Sequence, residues 1–213
     1  MNTDAPSTDD LLGAARAGDQ SAFAALFERC RARLERVVRL RMDRRLQGRV
    51  DPADVVQETY LAARGKFPHH FDASGLPPFL WLRLEVGQKL VDLHRFHLGA
   101  RMRAAGQEIS LHRGALPQVT SVSLAEQLLG RLTTASHAAM RAELKIRVQE
   151  ALNAMDPQDR EVLVLRHFEE LSNSEAAQVL GIKASAACNR YVRALKRLKD
   201  VFQSMPGGAE EDS

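Results

Sequence analysis

The 213-residue sequence predicts an all-α fold, with two small helical domains joined by a flexible linker. Three observations predict it. Apolar residues recur at three- and four-residue spacing in most segments, the helical period and not that of a strand. Proline and glycine fall mostly between those segments. Over 105–140 the pattern weakens into Gly, Ser, Thr, Pro and Gln, as expected of a linker, with room for a short helix around 124–132. The division that follows is an N-terminus over 1–10 expected to be disordered, a first domain over 11–104, the linker over 105–140, a second domain over 141–204 and an acidic tail over 205–213.

Composition excludes more than it selects. A hydrophobic content of 45% is ample for two packed cores, and a net charge of +3 does not by itself imply nucleic acid. Distribution says more. Acidic residues gather at the ends, whereas Arg and Lys concentrate in three internal helical stretches, the footprint to look for in a nucleic-acid binder. The two cysteines, Cys30 and Cys188, stand far apart and without His or Cys at metal-ligand spacing, so neither a disulfide framework nor a metal site is expected. No apolar run reaches about 18 residues, which argues against membrane insertion and for a cytoplasmic chain. No carboxylate cluster, nucleophile–base pair or Gly-rich phosphate loop supports an enzyme, and no cofactor is expected.

Taken in order, a helix opens from Thr8 and a long one follows Gly18-Asp19. Phe23, Leu26, Phe27, Cys30, Leu34, Val37, Val38 and Arg41 form the buried face of the long helix, and Arg29, Arg33, Arg36 and Arg39 the opposite one. Asp51-Pro52-Ala53-Asp54 starts the next helix: Asp51 caps free amides, Pro52 suits the first helical position, and Asp54 favours the positive end. It stops near Gly65. Pro68, Gly75, Pro77 and Pro78 mark 67–78 as a loop. A second long helix, roughly 79–103, buries Leu80, Leu84, Leu90, Val91 and Leu93, and basic and histidine side chains crowd its second half. Periodicity returns at Arg141 with Leu144, Val148, Ala151, Leu152 and Met155.

The most informative segment is 171–199. Asp156-Pro157 repeats the cap-then-proline start, and its helix carries Val162, Leu163 and Leu165 inward. Ser172 and Glu175 have capping-box spacing. Gly181 ends the short helix that follows in the left-handed conformation, and Ile182 plugs the corner. The next helix has Ala187, Tyr191, Ala194, Leu195 and Leu198 as its inward stripe. Lys183, Ser185, Ala186, Asn189, Arg190, Arg193 and Arg197 face elsewhere, as candidates for base edges and phosphates. Two helices, a tight turn and a basic second helix spell a helix-turn-helix that docks on double-stranded DNA.

Three pieces together resemble the extracytoplasmic-function (ECF) group of the sigma-70 family of bacterial transcription initiation factors. They are Asp51-Pro-Ala-Asp54-Val55-Val-Gln57-Glu58-Thr59, the helix from Phe79 through Trp81 and Gln88 to Arg95, and the helix-turn-helix. The likeness covers about 11–103 and 141–202. It implies that the first domain is sigma region 2 and the second sigma region 4. It further implies partners: core RNA polymerase, through its β′ clamp helices and β flap, promoter DNA, and an anti-sigma factor. Asp51, Asp54, Val55, Gln57 and Glu58 would bind polymerase; three of them make an acidic ridge at three- and four-residue spacing. The −10 element would meet His69, His70, Phe71, Asp72 and Ser74 as a base pocket, with Trp81, Gln88, Lys89, Arg95, Arg101 and Arg103; for Trp81 a core position is the better-fitting alternative. The −35 element would meet Ser172 and the basic face of the last helix. Gln88 stands where relatives commonly have Asn, and Ser185-Ala186-Ala187 where Gly-Thr-Val is frequent, so the promoter sequence is not readable. The alternative is a conventional helix-turn-helix regulator that never joins polymerase, which leaves the acidic ridge without a task.

Overall fold

The computed structural model describes residues 6–102, 116–132 and 138–204, and every named element among them is a helix. The chain divides into two compact units, 1–117 and 118–213.

The first unit holds α1 (Thr8–Arg16), α2 (Gln20–Arg41), α3 (Pro52–Lys66), α4 (His69–Ser74) and α5 (Pro78–Met102). Ser7 opens α1 with a capping box: its hydroxyl accepts from the Asp10 amide at 3.1 Å, and the Asp10 carboxylate accepts from the Ser7 amide at 3.0 Å. Residues 8–10 are therefore helical, contrary to the disorder expected over 1–10, of which residues 1–5 lie outside the described residues. Asp19 caps α2 by accepting from the Ser21 and Ala22 amides, and Asp51 caps α3 by accepting from Ala53. The expected stripe of α2 is buried from Phe23 to Arg41, with Cys30 half-buried. α5 packs against α2, α3 and α4. Its Phe79, Leu80, Trp81, Leu82, Val86, Leu90 and Val91 are buried, while Leu84 and Leu93 are half-buried.

The loop expected over 67–78 contains a helix. Its breakers bracket α4 and do not interrupt it: Pro68 sits at the start, where a missing amide costs nothing, and Gly75 ends it at φ 64°. Phe67, Phe71 and Trp81 cluster at centroid distances of 5.4 to 6.0 Å, which fixes α4 on the head of α5.

Beyond α5, residues 116–117 return to this unit. The buried Arg41 donates through Nη1 to the Pro117 carbonyl at 3.1 Å. Leu116 lies so close over Gly87 that a Cβ there would come within 2.7 Å of Leu116 Cδ1.

The second unit holds α6 (Ser121–Leu132), α7 (Ala138–Asn153), α8 (Pro157–Leu163), α9 (Asn173–Leu180) and α10 (Ala184–Gln203). The helix expected inside the linker is α6, three residues longer than anticipated. It is not a passive spacer, because Leu124, Ala125, Leu128 and Leu129 are buried and the helix packs on α7. Ser121 donates to Asn153 at 2.6 Å, and Lys145 pairs with Glu126 at 2.6 Å. After α8 the chain continues as a π-helical turn, Val164–Phe168, that buries Val164, Leu165 and Phe168. Nothing in the apolar period distinguishes that wider turn from ordinary helix.

One buried histidine gives this fold a pH signature. His94 Nε2 accepts from the Asp43 amide at 3.2 Å, which requires a neutral ring, and burial pushes its pKa below the ordinary value. The Asp43 carboxyl beside it, hydrogen-bonded by Arg45, is held at about 2 and stays ionised. A histidine kept neutral contributes stability that is full above about pH 6.5 and fades as pH falls through the lower folded-state value. The Tm advantage of wild type over His94→Gln should therefore shrink between about pH 7.5 and pH 5. A gap that does not change with pH would exclude this role.

Candidate nucleic-acid interface

In the second unit the turn between α9 and α10 is built as the sequence implies. Ser172 and Glu175 form the capping box, Gly181 takes φ 65°, and the Ile182 amide donates back to the Ala177 carbonyl at 3.0 Å. Asn173 adds a tie that spacing did not reveal, donating from Nδ2 to the Ala184 carbonyl at 2.7 Å. This joins the mouth of α9 to the first turn of α10. Ser172 is thus a cap in the first instance.

The faces of α10 are only partly as expected. Ala187, Ala194 and Leu198 are buried and Tyr191 is half-buried, but Leu195 is 39% exposed and leaves the inward stripe. Lys183, Ser185, Asn189, Lys196 and Arg197 are exposed; Ala186 is half-buried.

Arg190 and Arg193, assigned to DNA by the sequence, turn instead to α8. Arg190 Nη1 donates to Asp159 at 2.6 Å and to Asp156 at 3.1 Å. Arg193 donates to both carboxylate oxygens of the same Asp159, at 3.1 and 3.0 Å. Burial alone would push the Asp159 carboxyl up, but the hydrogen bonds and charges of Arg193 and Arg190 hold it below its ordinary value. The Arg190 side chain is only 24% exposed. These cations set the position of α10, and residues about 30 apart in sequence gave no local signal of it.

In the first unit, Asp51, Asp54, Gln57 and Glu58 line an exposed face of α3. Val55 does not belong to it. One helical step from Asp54 carries Val55 into the core, where it is buried. Leu61, which the sequence did not single out, is 60% exposed at the next three-residue step after Glu58. An apolar centre with a polar rim is the arrangement of a protein contact. Its only signal was the spacing Asp54, Glu58, Leu61. Glu58 forms an ion pair with Lys89 of α5, and Arg31 donates to Gln57 at 3.4 Å.

The pocket expected over 69–74 is mostly spoken for. Phe71 and Trp81 are buried in the aromatic cluster, because a helical α4 turns Phe71 inward. Asp72 pairs with Arg16 at 2.8 Å. The Ser74 hydroxyl donates to the Phe71 carbonyl at 2.6 Å and accepts from the Leu76 amide at 3.2 Å. His69 and His70 remain exposed, as do Gln88 and Arg95 on α5, while Lys89 is half-buried. The side chain of Arg101, and Arg103 altogether, lie outside the described residues. Phe96, which the sequence reading passed over, is 84% exposed.

The family described as "Sigma-70, region 4" matches residues 145–198, the span that contains α8 to most of α10. The chain is 30% identical over 202 residues to the RNA polymerase sigma factor NccH of Alcaligenes xylosoxydans xylosoxydans, covering 93% of this chain and 97% of the relative. It is 29% identical over 192 residues to the ECF RNA polymerase sigma factor SigD of Mycobacterium tuberculosis, covering 90% and 82%. Among solved structures, CnrH in complex with the cytosolic domain of CnrY is similar with a TM-score of 0.51 and 26% identity, over 93% of this chain and 99% of that one.

Proposed function

Because the chain belongs to the ECF group of the sigma-70 family of RNA polymerase sigma factors, we propose the following division of labour for its two domains. The protein binds core RNA polymerase, recognises −10 and −35 promoter elements and directs transcription initiation at a specific set of genes. Asp51, Asp54, Gln57 and Glu58, with Leu61 as an apolar anchor, meet the polymerase. On α5, Gln88 and Arg95 serve the −10 element, with His69 and His70 of α4 beside them. On α10, Lys183, Ser185, Asn189 and Arg197 serve the −35 element, joined by the exposed Lys196. Arg190 and Arg193 act at one remove, by fixing α10 against α8.

One observation carries this reading: an exposed acidic and apolar face on α3 occurs in the same chain as a helix-turn-helix in a separate unit. A regulator that acts by DNA binding alone needs only the second. The bond-making chemistry belongs to polymerase, and this chain supplies placement. No helix among the described residues is long and apolar enough to cross a membrane, and the proposed site of action is the cytoplasm, with the polymerase. CnrH is in complex with the cytosolic domain of CnrY; for this chain, an anti-sigma factor is the proposed antagonist.

Run-off transcription of fragmented genomic DNA with core polymerase tests the proposal. Discrete start sites should appear only when the chain is added. Identical transcripts with and without it would overturn the reading.

A further inference from the structure

α10 carries more positive charge than its packing uses. Arg190 and Arg193 pair with Asp159 of α8, but Lys196, Arg197 and Lys199 are exposed and have no ion pair among the described residues. Arg193, Lys196 and Arg197 stand at three- and four-residue spacing, so their charges gather on one side of the helix. Asp200, the one acidic residue of α10, shares that side and offsets only part of the charge.

The sequence that follows α10 has the complementary charge. Residues 205–213, which lie outside the described residues, include Glu210, Glu211 and Asp212 and no Lys or Arg. Pro206 breaks a helical pattern, and Gly207-Gly208 suit a reversal. The stretch from Ser204 to Glu210 can span up to about 20 Å, whereas Lys196 and Arg197 lie only about 10–12 Å back along the helix axis. We propose that the acidic segment 210–212 folds back onto Lys196 and Arg197 and competes there with DNA phosphates. Each exposed ion pair is weak, but so short a tether holds the carboxylates at an effective concentration on the order of millimolar. The contact is partial and exchangeable, so it tunes DNA affinity without abolishing it. This rests on the reading of Lys196 and Arg197 as −35 residues and assigns that face a competitor within the same chain.

The test uses the full chain with core polymerase, on a promoter identified by run-off mapping. Glu210→Gln, Glu211→Gln and Asp212→Asn together should tighten binding to the −35 duplex by about 3- to 10-fold at low salt. The gap should close as added salt screens the charges. Unchanged affinity at low salt would overturn the competition. The same three substitutions in a Lys196→Gln/Arg197→Gln chain should add nothing. An equal gain there would overturn the docking, because the carboxylates would then repel DNA without touching α10. A readout without DNA separates the two levels. In a Cys30→Ser/Cys188→Ser chain, a paramagnetic label at Ala209→Cys should broaden the Lys196 and Arg197 amide signals, and less so once the carboxylates are neutralised. If broadening is the same with and without the carboxylates, the docking fails and the −35 reading stands. If broadening depends on them while DNA affinity does not, the −35 reading of these two residues fails, and the competition with it.

Discussion

Asp159→Ala should loosen the recognition helix and lower both the stability of the second domain and −35-dependent DNA binding. Asp159 accepts from two guanidinium groups of α10 while sitting at the start of α8, so its removal takes both Arg193 bonds and the shorter Arg190 bond, and leaves the half-buried Arg190 its 3.1 Å bond to Asp156. Losing hydrogen bonds between charged groups costs about 1–3 kcal/mol. The lower part of that range is expected, because Arg193 is 61% exposed and solvent screens it. The DNA effect has a particular form. If Arg190 positions the helix, Arg190→Ala and Asp159→Ala should weaken binding about equally across −35 variants. If Arg190 instead reads a base, Arg190→Ala should relax preference at one position and Asp159→Ala should not.

Asp54→Arg should reduce affinity for core polymerase by about 10- to 100-fold, since it places a cation in the middle of an exposed acidic face. Leu61→Ala should weaken the same binding by truncating an apolar anchor, without altering DNA contacts. Asp54→Asn controls for the lost helix-end charge, which is a smaller effect. Titration of core polymerase against labelled chain measures all three. Unchanged affinity in Asp54→Arg would move the polymerase contact away from α3.

What the sequence made legible was local. Asp51-Pro52 and Asp156-Pro157 start helices because one carboxylate and one missing amide suffice. Ser172, Glu175 and Gly181 shape the turn through neighbours no more than a few residues away. α4 was not legible because prolines and glycine look the same whether they flank a helix or interrupt one. The π-helical turn after α8 leaves the apolar period unchanged. Exposure was the larger gap. Val55, Leu195, Leu61 and Phe96 are all apolar in sequence, and only the position of the neighbouring helices decides which are covered. Likewise, Arg190 and Arg193 read as a basic DNA face until Asp159, more than thirty residues away, is placed beside them.

The central claim is that this chain positions polymerase by two DNA anchors and does not act on DNA alone. Footprinting of a mapped promoter, combined with permanganate probing of unpaired thymines, tests it most directly. With core polymerase and the chain together, two separate protected patches should appear, with reactive thymines at the −10 patch; neither component alone should produce them. Full protection by the chain alone, with no opened bases when polymerase is added, would contradict the account and mark the protein as a conventional helix-turn-helix regulator.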